Sequence, residues 1–139
     1  MVGTDFSSGA DRALEQALAF AAASPSSIAL VHAYEDSPGS PAGDSSTALR
    51  SQLDETVGRS GARERGIRIE SVVRRGPPWE KLVNVAAELG ATLIVVGAHG
   101  QRGRMGSSLV GSVATRVVAT STQSVLVVRD ASIEWERFR

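Results

Sequence analysis

Between Gly97 and Gly106 a glycine recurs at every third residue, and Gly111-Ser112 follows a few residues on. The apolar run Thr92-Leu-Ile-Val-Val96 leads directly into this segment. A phosphate is held by several backbone N–H groups converging on it, and side chains obstruct that approach. Glycines remove the obstruction and tolerate positive φ. A helix starting after the loop adds its unsatisfied first amides and the positive end of its dipole. The order strand, glycine loop, Gly-Ser and helix has that layout. Ser112 would donate its hydroxyl, and Arg102 and Arg104 would lie within reach of terminal phosphates. The same composition also makes an ordinary solvated turn leaving a buried strand. Two other phosphate loops are excluded. The segment has no lysine and therefore no G-x-x-x-x-G-K-[ST], and its G-x-x-G spacing is not G-x-G-x-x-G.

The elements that must position this segment alternate along the chain. Met1-Val-Gly-Thr4 reads as a short strand ending at Asp5. Ser7 and Ser8 offer an N-cap to a helix over 9–23, where Leu14, Ala17, Leu18 and Ala21 make one apolar face. Residues 28–32 form a buried strand, and 35–46, rich in Pro, Gly and Ser, a surface loop. Leu49, Leu53, Val57 and Ala62 mark a second helix over 46–65, ended by Gly66. A strand over 67–74 follows, then a Gly76-Pro-Pro78 turn. The third helix runs to Leu89, with Pro78 in its first turn and Gly90 as its C-terminal cap. A strand over 92–96, a helix over 108–120 and a strand over 124–128 complete the pattern. Strictly alternating strands and helices imply an α/β fold, a five-stranded parallel sheet with helices on both faces. In open sheets of this kind, ligands sit beyond the carboxyl ends of the strands, where strand order reverses. Asp5, Ala33 and the Gly97 segment all fall on that edge.

Composition limits the alternatives. The chain of 139 residues is long enough for one domain with a real core. Only 4% of it is aromatic, so Ala, Val, Leu and Ile must fill the interior. Fifteen basic residues balance fifteen acidic ones, which argues against nucleic acid or a membrane surface as the partner. There is no cysteine, which excludes disulfides, thiol catalysis and thiolate metal sites. No apolar stretch is long enough to span a bilayer and no leader pattern is visible, so the expected location is cytoplasmic.

Val2-Gly-Thr-Asp-Phe-Ser7, Leu30-Val-His-Ala33, Gly76 before a helix, Leu93-Ile-Val-Val-Gly-Ala-His-Gly100, Leu109-Val-Gly-Ser112 and Ser124-Val-Leu-Val-Val128 stand in a familiar order. Together they resemble the universal stress protein family over nearly the whole chain. The resemblance implies a flavodoxin-like or Rossmann-like domain over 1–129 followed by a tail over 130–139. It also implies a homodimer formed through the last strand, and a regulator rather than an enzyme. The expected cofactor is ATP or another adenine nucleotide, with Mg accompanying its phosphates. Carried over residue by residue, Gly97 and Gly100 match the first glycine pair of the family's ATP-binding members, and Gly111-Ser112 the closing pair. Asp5, beside Thr4, matches the aspartate that contacts the nucleoside. Ala33 matches the residue whose backbone bonds the adenine, and Val113 and Ala114 would lend amides at the helix start. His99 lies inside the loop. The family's pattern has nine residues between the two pairs, whereas this chain has ten, and Gly103 and Gly106 are where the extra residue would bulge. A regulatory module of the same fold with no nucleotide is the alternative.

Other candidates have simpler readings. His32 and His99 lack a third ligand at recognisable metal spacing and read as packing or hydrogen-bonding histidines. Asp5 reads as a ligand contact or a helix cap, since no nucleophile or metal motif accompanies it. Trp79 reads as an anchor for the third helix. Ile133, Trp135 and Phe138 read as packing on a partner subunit or back on the sheet.

Overall fold

The alternation expected from the sequence is present in the computed structural model, which describes residues 1–39, 44–100 and 110–129. In chain order the elements are β1 (Val2–Gly3), α1 (Ser8–Ala23), β2 (Ile28–Tyr34), α2 (Asp44–Arg59), β3 (Ile69–Arg75), α3 (Pro78–Leu89), β4 (Leu93–Gly97), α4 (Ser112–Thr120) and β5 (Ser124–Val128). The strands form one parallel sheet in the order β3-β2-β1-β4-β5. β1 is short, but the N–H of Thr4 still donates to the Val31 carbonyl at 2.8 Å and carries the pairing one residue further.

Side-chain alternation along the strands divides the interior into two layers. Val2, Leu30 and Val95 pack with Leu14, Leu18 and Leu53, so α1 and α2 cover one face. Val31, Ile94 and Val96 pack with Leu82, Val85, Ala86 and Val117, so α3 and α4 cover the other. The core is aliphatic throughout, as the low aromatic content requires. Trp79 is the exception at its edge, half-buried against the second layer, with the Arg116 guanidinium 5.7 Å from its ring centroid.

Helix ends follow local chemistry. The Ser7 hydroxyl caps α1 by accepting the Ala10 N–H at 3.2 Å. α3 begins on Pro78 and stops at Gly90, which takes a left-handed conformation (φ 60°) with its N–H directed to the Ala86 and Ala87 carbonyls. An added Cβ at Gly90 meets nothing within 4 Å, so only the conformational cost would be felt. Gly90→Ala is therefore expected to lower stability by about 1 kcal/mol, which thermal unfolding reads as a Tm loss of roughly 3–5 °C.

Several boundaries differ from those expected. α2 starts at Asp44, inside the segment read as loop, and stops at Arg59 rather than near 65. Ser60 accounts for the stop: its hydroxyl donates to the Val57 carbonyl and accepts the Ala62 N–H, and Gly61 follows at φ 75°. Ala62 is buried from this turn, so the apolar spacing runs past the helix without extending it. β2 continues to Tyr34, two residues beyond the expected end, and β3 begins at Ile69 rather than Ile67. α4 begins at Ser112, not at 108. Residues 101–109 and 130–139 lie outside the described residues. With them go the expected roles of Arg102, Arg104, Gly103 and Gly106, and of Ile133, Trp135 and Phe138 in the tail. Among the described residues, no helix is long and apolar enough to cross a membrane.

Candidate functional site

From β1 the chain winds outward through β2 and β3, then returns to the other side of β1 as β4. The connections leaving β1 and β4 therefore diverge, and a crevice opens at the carboxyl ends of these two strands. A cleft of about 950 Å³ occupies it, within the size range of small-molecule sites. All ten residues singled out from the sequence line this cleft: Thr4, Asp5, Ala33, Gly97, His99, Gly100, Gly111, Ser112, Val113 and Ala114. Phe6, His32, Leu49, Gln52, Pro78 and Leu82 line it as well. Leu49, Pro78 and Leu82 were legible only as parts of helices. Nothing in their spacing says that these helices overhang the strand ends.

The β1 side is built by a tight turn. The Thr4 hydroxyl accepts the Phe6 N–H at 3.0 Å, and an Asp5 carboxylate oxygen accepts the Ser7 N–H at 3.0 Å. Asp5 thus braces the exit from β1, and the cap of α1 falls to Ser7 two residues later. Phe6 has φ 64°, the left-handed region that side chains beyond glycine rarely adopt. That conformation costs on the order of 1 kcal/mol. Its ring packs on the His32 ring with centroids 4.5 Å apart. His32 Nδ1 lies 2.8 Å from the Thr4 carbonyl oxygen, which ties the ends of β1 and β2 together.

On the β4 side, the glycines are required by close approach. A Cβ on Gly97 would stand 2.9 Å from the backbone carbon and oxygen of Gly9, and one on Gly9 would stand 2.7 Å from the His99 carbonyl oxygen. The start of α1 therefore rests directly on the end of β4, backbone to backbone. A Cβ on Gly100 would run into the Asp5 carboxylate. The Gly111 N–H donates to the Ala98 carbonyl at 2.6 Å, joining the exit from β4 to the entrance of α4.

α4 opens on the cleft without a side-chain cap. The first ordered bond of the helix is Thr115 N–H to the Gly111 carbonyl. Ser112, Val113 and Ala114 thus present the amides that a helix start leaves unpaired. His99 Nε2 is buried with no hydrogen-bond partner among the described residues. Such an atom normally marks a missing polar neighbour. Among the described residues no three His, Asp or Glu side chains cluster as a metal site would need.

The universal stress protein family model matches residues 1–129. A universal stress protein of Thermus aquaticus is 33% identical over 133 residues, covering 93% of this chain and 96% of that protein. The universal stress protein YxiE of Bacillus subtilis is 40% identical over 68 residues, 49% of this chain and 45% of that protein, so that match spans about half of each. Among solved structures, a universal stress protein in complex with cAMP superposes with a TM-score of 0.72 at 32% identity, covering 92% of this chain and 93% of that one. The universal stress protein of Archaeoglobus fulgidus in complex with dAMP gives 0.69 at 26% identity, covering 91% and 93%. Sheet order, the cleft at the strand reversal and these matches agree: the chain belongs to the universal stress protein family.

Proposed function

We propose that this chain binds an adenine nucleotide in the cleft, ATP by preference, and serves as a stress-linked regulator rather than a fast enzyme. The observation that carries this reading is the uncapped start of α4 facing a cleft at the β1–β4 strand reversal. Its three free amides and the Ser112 hydroxyl form a donor set suited to phosphate oxygens, helped by the helix dipole. Gly100 and Gly111 keep that approach clear. β2 lies two strands from β4, about 10 Å away, a span that suits a nucleoside over Asp5 and Ala33 with its phosphates at α4. The acceptor carboxylate of Asp5 suits a ribose hydroxyl. Solved relatives carrying cAMP and dAMP support the choice of an adenine nucleotide. Mg would be held by the phosphates of the nucleotide rather than by a protein cluster.

The regulatory part of the proposal rests on the family and on the donor set, which binds but brings no organised nucleophile. A homodimer would form along β5, an edge strand whose Val125, Leu126, Val127 and Val128 are only half-buried. A cytoplasmic location belongs to the same proposal. Isothermal titration tests the core of it. ATP, AMP and cAMP are each titrated to millimolar concentration into folded protein, and at least one is expected to bind with measurable heat. The absence of heat with all three overturns the nucleotide reading in favour of a nucleotide-free regulatory module.

A further inference from the structure

We infer that His32 is a specificity-determining residue of this cleft, offering its Nε2 lone pair to a hydrogen-bond donor on the nucleoside. The inference rests on the nucleotide reading above and adds to it a residue and a chemical preference. The Thr4 carbonyl oxygen can only accept, so the 2.8 Å contact requires the proton on His32 Nδ1. In the neutral ring this leaves Nε2 as an acceptor. Two contacts favour that orientation of the ring. Thr4 holds one edge and the Phe6 ring packs on its face at 4.5 Å, in a turn that keeps Phe6 at φ 64°.

Among the described residues, the contact through Nδ1 is the one hydrogen bond of the His32 side chain. His32 belongs to the lining of the cleft at the β2 end, away from the amides of α4. Glu35 adds a carboxylate acceptor to the lining. Acceptors at this end of the cleft suit N–H or O–H groups. A nucleoside offers two kinds, the exocyclic amine of the base and the hydroxyls of the ribose.

The test is isothermal titration at pH 8 with wild type, His32→Phe and His32→Gln. The ligands are AMP, the monophosphate of purine riboside, which lacks the amine, and 2′- and 3′-deoxyAMP, which each lack one hydroxyl. Wild type should lose about five- to tenfold in affinity for the analogue missing the donor that meets Nε2. The purine riboside arm reports the amine and the deoxy arms the hydroxyls. His32→Phe keeps a ring on Phe6 but has no acceptor. It should bind AMP about five- to tenfold more weakly and no longer distinguish that analogue, while His32→Gln restores part of the discrimination. Wild type that binds AMP and all three analogues equally overturns the inference without any variant, even if His32→Phe fails to fold. Discrimination that survives in a folded His32→Phe overturns it too. Wild type that gives no heat with AMP overturns this inference, whereas the nucleotide reading falls only if ATP and cAMP give none either.

Discussion

Gly97→Val should unfold roughly 10 °C below the wild type in a thermal melt. The reason lies in what surrounds the missing Cβ: the backbone carbon and oxygen of Gly9 at 2.9 Å and the Ala10 nitrogen at 3.4 Å. Backbone at the first turn of a helix cannot rotate aside as the tip of a side chain can. α1 would have to lift from β4, and Ala13, Leu14, Ala17 and Leu18 are buried on that helix. Overpacking of this kind costs about 1–3 kcal/mol, sometimes more. The upper end applies where rigid backbone is the obstacle and a branched side chain must be fitted. At this chain length about 3 kcal/mol corresponds to the stated shift. Gly97→Ala should fall in between. A Gly97→Val protein melting within 2 °C of wild type would show that α1 does not rest on β4 as described.

The second large effect is on binding, with the fold left in place. Ser112→Pro should weaken nucleotide binding about 10- to 100-fold while moving Tm by no more than a few degrees. Ser112 is the first residue of α4, the helix position that proline occupies without clash. Gly111 before it has φ −68° and ψ 164°, the extended conformation that a following proline demands. The substitution therefore removes one amide donor and one hydroxyl donor from the start of the helix and little else. Hydrogen bonds to a charged acceptor contribute about 1.5–3 kcal/mol each. Losing one or both gives the stated range, with water recovering part of the loss. Ser112→Ala, which removes the hydroxyl alone, separates the two donors. Titration of a folded Ser112→Pro protein with unchanged affinity would place the phosphates somewhere other than the α4 amides.

Element order was legible because each helix carries its own three- and four-residue apolar spacing and each strand a short aliphatic run. Boundaries were less legible where a side chain competes with the backbone. Ser60 ends α2 by bonding Val57 and Ala62, and no apolar count registers that. The candidate site was legible as a meeting of distant segments, since parallel α/β connections bring every strand's carboxyl end to one edge. What the sequence concealed is which duty each residue performs there. Asp5 braces the turn and Ser7 caps the helix, although both types are good caps. Gly97 is a contact for α1 as well as part of the cleft wall. Phe6 carries no mark of its left-handed backbone, because that conformation is imposed by Thr4 and Asp5 on one side and the His32 ring on the other.

The 2.6 Å bond from the Gly111 N–H to the Ala98 carbonyl works as a clasp. It fastens the two ends of the glycine-rich excursion to each other at the cleft wall, which Ala98 and Gly111 both line. The length of the excursion is then uncoupled from the position of the α4 amides. By loop-closure entropy, ten residues instead of nine cost only about 0.1 kcal/mol. A reporter peptide spliced between Gly100 and Val110 would report on the cleft while the clasp holds the cleft's own geometry.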